Sequence, residues 1–443
     1  MAAGLPKRMQ VEPAARKLAV AIAYSRLPLP MTRADQMTVA HLVAFLAARG
    51  HAVDLYVLDN GEAIAPHQRA WLDEVCRSVS VFPHGLARRL WGVCTGLLRG
   101  LPLQVGWFSN GGQTRAVRAG LARVDVGYSY YIRSAQTMRG RGRTRRHPSG
   151  PVTFLAMQLS QALNTRRMAQ HYRDWKEKLL YAVETRLVRN YEPRVWSDFT
   201  RTVLIGQQDV DEIAAACRER GLAEIDNVVF GPHGVDVDRF APRTDVAEEP
   251  FTLVFNGVLR TYTNVHAITW FAEHVWPLVR ADEPRAKLLI VGRDPRPEVL
   301  ALAELDGVTV TGEVADPADY IARAAVCVNP VQVGAGMQNK LIEFMAMEKA
   351  VVATSVANEG IRAAPGEHLV IADDARAFAD AVLALLADPA RRAALARAAR
   401  AYILEHWTWE AHFLALEAAM IEAIDDSAGG QNALSSADGE PTT

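Results

Sequence analysis

KLAVAIAYS (residues 17 to 25) and GHAVDLYVLD (50 to 59) bracket a segment whose hydrophobic periodicity changes twice, and those changes set the fold class. The first stretch is a short apolar run that ends in LPLP. From Asp35 to Arg49 the apolar residues recur with helical spacing, and the second stretch alternates as a strand does. Strand, loop, helix, strand is the opening of a doubly wound parallel sheet. The same grammar restarts near residue 251. FTLVFNGVL (251 to 259) reads as a buried strand, and Asn264 is placed to cap a helix with Val265, Ile268, Ala272 and Val275 on one face. AKLLIVG, GVTVTG and AVCVNPV then follow as strands. Two sheet-building halves flank a hinge expected in the Pro-, Gly- and acid-rich segment 230 to 250, and ligands of such sheets bind beyond the carboxyl ends of the strands.

At 443 residues the chain has length for two large α/β domains. Its 49 basic and 50 acidic side chains give no global field for nucleic acid, so any polyanion site is local. Cys76, Cys94, Cys217 and Cys327 are scattered, without C-x-x-C pairs or neighbouring histidines, and read as reduced core residues of a cytoplasmic protein. No signal-peptide pattern opens the sequence and no run of 18 apolar residues occurs, which predicts a soluble or peripheral protein. The composition of 425 to 443 is that of a disordered tail.

VGAGMQNKLIEFMAMEKAVVAT (333 to 354) is the stretch richest in chemistry. Met337, Leu341, Phe344 and Met345 form one buried helical face, with Lys340 and Glu343 off it. Gly334 and Gly336 sit where the chain turns into the helix, so backbone N–H groups and the helix dipole face an anion. The spacing of Lys340 and Glu343 equally suits a surface i,i+3 pair.

With NEGI (358 to 361), this G-x-G-x-x-x-K-x-x-E pattern resembles the donor-site signature of retaining glycosyltransferases of family 4, which have the GT-B fold. PHGVDVDRFAP (232 to 242) is similar to the family's domain-junction motif, with His233 in place of Asn. LPLPMTRADQMT, GLPLQVGWF (100 to 108), ETRLVRNYE (184 to 192) and VNPV resemble the branch associated with bacterial exopolysaccharide systems. The resemblance covers roughly residues 17 to 424. It implies an N-terminal extension (1–16), an acceptor domain (17–235), a nucleotide-sugar donor domain (236–408), a closing helix (409–424) and the tail (425–443). Glu343 would hold the nucleotide ribose, and Lys340 would lie near the phosphates. Gly257, Arg260, Gly292, Gly312, Val314, Gly334, Gly336, Gln338, Asn339, Glu359 and Gly360 would line the donor site. Arg133 would contact substrate or phosphate, and Asp35 would lie on the acceptor side. The implied reaction moves a sugar from a nucleoside diphosphate to the hydroxyl of a sugar or lipid-linked glycan, with no cofactor beyond the nucleotide-sugar co-substrate and no metal.

The sequence also departs from that pattern. Ala335 replaces the first of two glutamates, Val258 and Thr263 stand where a basic pair is common, and Ala34 replaces an acceptor-loop glycine. These changes leave open a non-catalytic GT-B module that binds a nucleotide or a partner; a nucleotide-sugar epimerase of the same fold is a further rival. The DVD triplets at 209 to 211 and 236 to 238 read as turn aspartates rather than metal ligands. MRGRGRTRRHPSG (138 to 150) holds five arginines in eight residues, which suits a solvated loop or peripheral contact with anionic lipid at the inner face of the cell membrane. LARRLWGVCTGLLRGLPLQVGWF (86 to 108) would support such lipid contact by setting basic residues beside Trp and Leu, but most of it is expected to be core.

Overall fold

The computed structural model describes residues 5, 6, 9, 11–61, 64–144, 150–171, 175–231, 234–334 and 337–437. It divides into two compact units, Met1–Pro232 with His412–Thr443, and His233–Ala411.

The first unit is built on β1 (Ala19–Tyr24), β2 (Ala52–Asp59), β3 (Ser78–Pro83), β4 (Val126–Tyr130), β5 (Val152–Gln158), β6 (Arg201–Leu204) and β7 (Val228–Phe230). They form a seven-stranded sheet in the order β3-β2-β1-β4-β5-β6-β7, and every pair is parallel. The second unit holds β8 (Thr252–Asn256), β9 (Lys287–Val291), β10 (Val308–Gly312), β11 (Val326–Asn329), β12 (Ala350–Ala353) and β13 (Val370–Ile371). Its sheet runs β10-β9-β8-β11-β12-β13, again all parallel. Each sheet therefore reverses direction once, between β1 and β4 and between β8 and β11. At that reversal the loops leave in opposite directions and open a crevice beyond the carboxyl ends of the strands. The strands β8, β11 and β12 are buried along their whole length, which is why they read as unbroken apolar runs.

Two carboxylates of the ETRLVRNYE segment cap other helices from within the Trp175–Val195 helix. Glu184 accepts from the backbone N–H groups of Leu103 (2.6 Å) and Gln104 (3.3 Å). Glu192 accepts from those of Gln161 and Ala162 and from the Ser160 hydroxyl, at 2.5, 3.2 and 3.0 Å. Complete burial pushes Glu192 up to about 8 against those donors. The motif thus fixes the starts of the Leu103–Trp107 and Gln161–His171 helices.

Four expectations need correction. Asn264 does not cap a helix; Thr261 occupies that position, and Asn264 lies inside the Tyr262–Trp270 helix. Cys94 is exposed, unlike the other three cysteines. The Leu86–Leu97 helix turns its bulky residues outward, because Gly92 and Gly96 form its buried side: a Cβ on Gly92 would lie 2.2 Å from the Gly106 carbonyl oxygen. Finally, the C-terminal helix runs Trp409–Ala437, through much of the segment whose composition suggested disorder. Asp425 and Asp426 tie that part down through Arg16 (2.6 Å) and Arg201 (2.9 Å). Residues 438–443 lie outside the described residues.

From His412 onward this helix belongs to the first unit. Phe413 packs on Phe45 with ring centroids 5.4 Å apart, and the buried Glu417 bonds both Arg49 (2.7 Å) and the His51 ring. Burial raises the Glu417 pKa, but the Arg49 and His51 hydrogen bonds outweigh it and hold the carboxyl below its usual value. A depressed carboxylate contributes stability that is present above its unfolded pKa and lost as pH falls through its folded one. Glu417→Ala should cost about 2 kcal/mol in urea denaturation at pH 7, because the half-buried Arg49 and the buried His51 lose their shared charged acceptor. The difference from wild type should shrink towards pH 3.

Candidate functional site

In the second unit the named residues collect beyond the carboxyl ends of the strands. Gly257 follows β8, Gly292 follows β9, Gly312 closes β10, Gly334 and Lys340 come after β11, and Glu359 and Gly360 come after β12. Lys340 and Glu343 lie on the short helix Asn339–Ala346, whose Leu341, Phe344 and Met345 face the core. Met337 precedes that helix, and Gln338 is its N-cap without a side-chain capping bond.

Lys340 is buried, not on the surface. Its ammonium donates to Asn264 Oδ1 and sits 4.5 Å from the centre of the Phe255 ring. Burial lowers the Lys340 pKa to about 7, against the opposing pull of Glu343. Glu343 accepts from Asn256 Nδ2 at 3.1 Å. Burial raises its pKa to about 7, with Arg239 and Lys340 opposing the rise. Lys340 is buried and Glu343 half-buried, and the two groups, one turn apart, are pushed in opposite directions. An i,i+3 surface pair would show neither shift.

Three asparagines that sequence reasoning missed complete this environment. Asn256 ends β8 and Asn329 ends β11, so they flank the reversal in strand order. Neither the Oδ1 nor the Nδ2 of Asn329 has a hydrogen-bond partner among the described residues, although the side chain is fully buried. Orphaned amides are costly and mark sites where something else bonds. Asn264, besides accepting from Lys340, donates to the Val258 carbonyl at 3.1 Å. The VNPV run was the only local signal for Asn329. For Asn256 and Asn264 there was none, because their partners are 87 and 76 residues away.

The glycines have a packing role. A Cβ on Gly257 would lie 2.6 Å from Asn264 Nδ2, and one on Gly292, where φ is +153°, would lie 1.7 Å from the Gly257 carbonyl oxygen. The bare Gly257 leaves room for the Asn264 amide, and the bare Gly292 for the Gly257 backbone. Gly312 and Gly334 also have positive φ, at +69° and +147°. Val314 packs against the core. Arg260 is exposed and 3.5 Å from Asp294. Arg239, in the junction motif, supplies the second cation near Glu343; it also bonds Asp316 at 3.3 Å. Glu359 is the C-cap of the Ser355–Asn358 helix, with Gly360 next to it. Gly336, Ala335 and His233 lie outside the described residues.

The first unit gathers a cationic group at its own reversal point. Arg133, just after β4, stacks on Tyr131 (4.2 Å) and Phe108 (5.1 Å), and its buried Nε has no hydrogen-bond partner among the described residues. Arg26, just after β1, lies over the same Phe108 ring at 5.2 Å and 3.5 Å from Asp35. Burial, and then the neighbouring Arg133 charge, lower the Arg26 pKa. The DVD aspartates serve the chain itself: Asp209 accepts from Ser160 N, and Asp236 from the amides of Asp238 and Arg239. In the arginine-rich loop, Arg139 pairs with Asp198 (2.7 Å) and Arg143 donates to the Gly150 carbonyl, while Arg145 and Arg146 lie outside the described residues.

Paired parallel sheets with a site at the carboxyl edge of each define the GT-B fold. Residues 250–388 match the family described as "Glycosyl transferases group 1". Sucrose-phosphate synthase from Thermosynechococcus elongatus is 20% identical with a TM-score of 0.64, over 93% of this chain and 100% of that one. HepE of Anabaena, solved with UDP and glucose, is 12% identical at 0.60, over 91% and 100%. WaaG, a glycosyltransferase involved in lipopolysaccharide biosynthesis, is 16% identical at 0.58, over 91% and 99%. An uncharacterised 44.6 kDa protein in the cps region of Klebsiella pneumoniae is 22% identical over 370 residues, 80% of this chain and 88% of the relative.

Desolvation of Lys340 makes a stability prediction. In the unfolded chain the lysine keeps an ordinary pKa, so between about pH 7 and 10 the unfolded state binds more protons and wild-type stability rises with pH. Lys340→Met should lose that rise. Relative to the variant, wild type should gain about 1 kcal/mol per pH unit between pH 7.5 and 9.5 in urea denaturation. A pH-independent difference would mean that Lys340 is solvated.

Proposed function

We propose that this chain is a retaining glycosyltransferase of the family 4 type that moves a sugar from a nucleoside-diphosphate sugar to an acceptor hydroxyl. Its setting would be exopolysaccharide or cell-surface glycan synthesis at the cytoplasmic face of the membrane, with a sugar or lipid-linked glycan as acceptor. The observation that carries the reading is the buried Lys340, with the half-buried Glu343 one turn further on, at the strand-order reversal where the amide of Asn329 is left without a partner among the described residues. Support comes from the match of residues 250–388 to a glycosyltransferase family, from the UDP held by HepE and from the cps-region relative.

On this reading Lys340, with Arg239 nearby, opposes the charge that grows on the departing diphosphate, in a site where low dielectric strengthens the interaction. Glu343 accepts the ribose hydroxyls. Gly334, Gly336, Gln338 and Asn339 bring backbone N–H groups to the phosphates, Glu359 and Gly360 border the sugar, and Asp35 and Arg133 meet the acceptor. The departing phosphate takes the acceptor proton, so no side chain has to act as nucleophile, and neither metal nor cofactor is required. A second reading, a nucleotide-binding module without turnover, draws on Val258, Thr263 and Ala335, which stand where such sites usually carry charge.

A thermal-shift panel of nucleoside diphosphates and their sugars tests the donor site. At 100 times its Kd a ligand stabilises the fold by about 2.7 kcal/mol, and a chelator should leave that gain intact. Glu343→Gln should reduce it while Glu348→Gln should not; equal effects would remove Glu343 from the site. Turnover separates the two readings: Lys340→Ala should lower hydrolysis or transfer from a nucleotide sugar at least 100-fold. Full activity in that variant would refute the role given to Lys340, and binding without turnover on any donor would favour the module.

A further inference from the structure

The segment 75 to 124 contains seven arginines and not one acidic residue, in a chain whose overall charge is −1. At its centre is the Leu86–Leu97 helix. With Gly92 and Gly96 spent on close packing against Gly106, the outer side carries Leu86, Leu90, Trp91, Leu97 and Leu98, all exposed; Trp91 is 71% and Leu98 89% accessible. Arg88 and Arg99 stand exposed among them. A second helix of the same unit, Trp175–Val195, exposes Trp175 (67%), Leu179, Leu180 and Val183, with Lys176 and Lys178 beside them around Glu177. Both helices abut the short Leu103–Trp107 helix, the second one through Glu184. Nine of the fourteen large apolar residues exposed on the described protein belong to these two stretches. Scattered exposed leucines need no explanation, but a concentration of this kind does.

We infer that this surface docks the protein on an anionic phospholipid bilayer, with the leucines and tryptophans entering the headgroup region and the arginines and lysines meeting lipid phosphate. The inference rests on the proposed lipid-linked acceptor and deepens it by naming a contact surface other than the arginine-rich loop, whose Arg139 and Arg143 bond within the protein. Charge complementarity selects the bilayer as occupant: bulky apolar residues bordered by cations, almost without carboxylates, match an anionic interface and not the mixed-sign rim of a protein partner. Tryptophan favours the headgroup level. No helix among the described residues is long and apolar enough to cross a membrane, so the contact is with the surface.

Sedimentation of the full chain with vesicles of phosphatidylcholine alone, or mixed with phosphatidylglycerol, tests this. Wild type should bind the mixed vesicles and release as salt rises. Leu90→Gln combined with Trp91→Gln and Leu98→Gln should weaken partitioning by about tenfold or more. Arg88→Gln with Arg99→Gln should weaken binding at low salt and flatten the salt dependence. Leu404→Gln, an exposed leucine of the other unit, should change nothing. The inference is overturned if wild type stays in the supernatant at low salt, if the triple variant binds like wild type, or if the same substitutions abolish self-association instead of vesicle binding. The nucleotide-induced thermal shift, run in parallel, should be the same in all variants; its absence from wild type would count against the donor site and not against the docking surface.

Discussion

Burying an ammonium, with a half-buried carboxyl one helical turn away, costs the fold stability, and the second unit is arranged around meeting that cost. Lys340 is held by Asn264 and the face of Phe255, and Glu343 by Asn256. The space that Asn264 occupies exists because Gly257 lacks a Cβ, and Gly257 in turn packs against the bare Gly292. These contacts satisfy hydrogen bonds without neutralising charge, and the pKa values of both groups stay displaced. A site of this kind gains most from a ligand that carries compensating charge to the lysine and hydroxyls to the carboxylate. A nucleoside diphosphate carries both.

The same topology, used twice, gives the two units different chemistry. At the reversal between β8 and β11 the chain places amides, a buried lysine and a half-buried glutamate. At the reversal between β1 and β4 it places Arg26 and Arg133 on one phenyl ring with Asp35 alongside. Fold alone does not choose between those outcomes; the residues at the strand ends do.

Much of this was legible in the sequence. In the second sheet β8, β11 and β12 are buried throughout and β9 along all but its first residue, so these four announce themselves as apolar runs, and the doubled strand–helix grammar predicted two parallel sheets. Lys340 and Glu343 were found by their spacing, but the burial of Lys340 was not. A helical wheel sees only one helix, and what covers the other side of it comes from β8 and the Tyr262–Trp270 helix, far earlier in the chain. The Leu86–Leu97 helix misled for the opposite reason. Periodicity assigns leucines to the core, whereas here two glycines make the intimate contact and the leucines are left outside. Composition marked 425 onward as a tail because nothing local signals that Asp425 and Asp426 meet Arg16 and Arg201.

The central claim is that the desolvated Lys340 meets the phosphates of a nucleotide. Calorimetric titration of the accepted nucleoside diphosphate from pH 7 to 9, with wild type and Lys340→Met, tests it most directly. Above pH 7 the diphosphate is fully ionised and the free lysine loses its proton, so binding must take one up. Wild-type affinity should fall by up to about tenfold per pH unit, while the variant binds more weakly with little pH dependence. Equal affinities with the same pH profile in both proteins would contradict it.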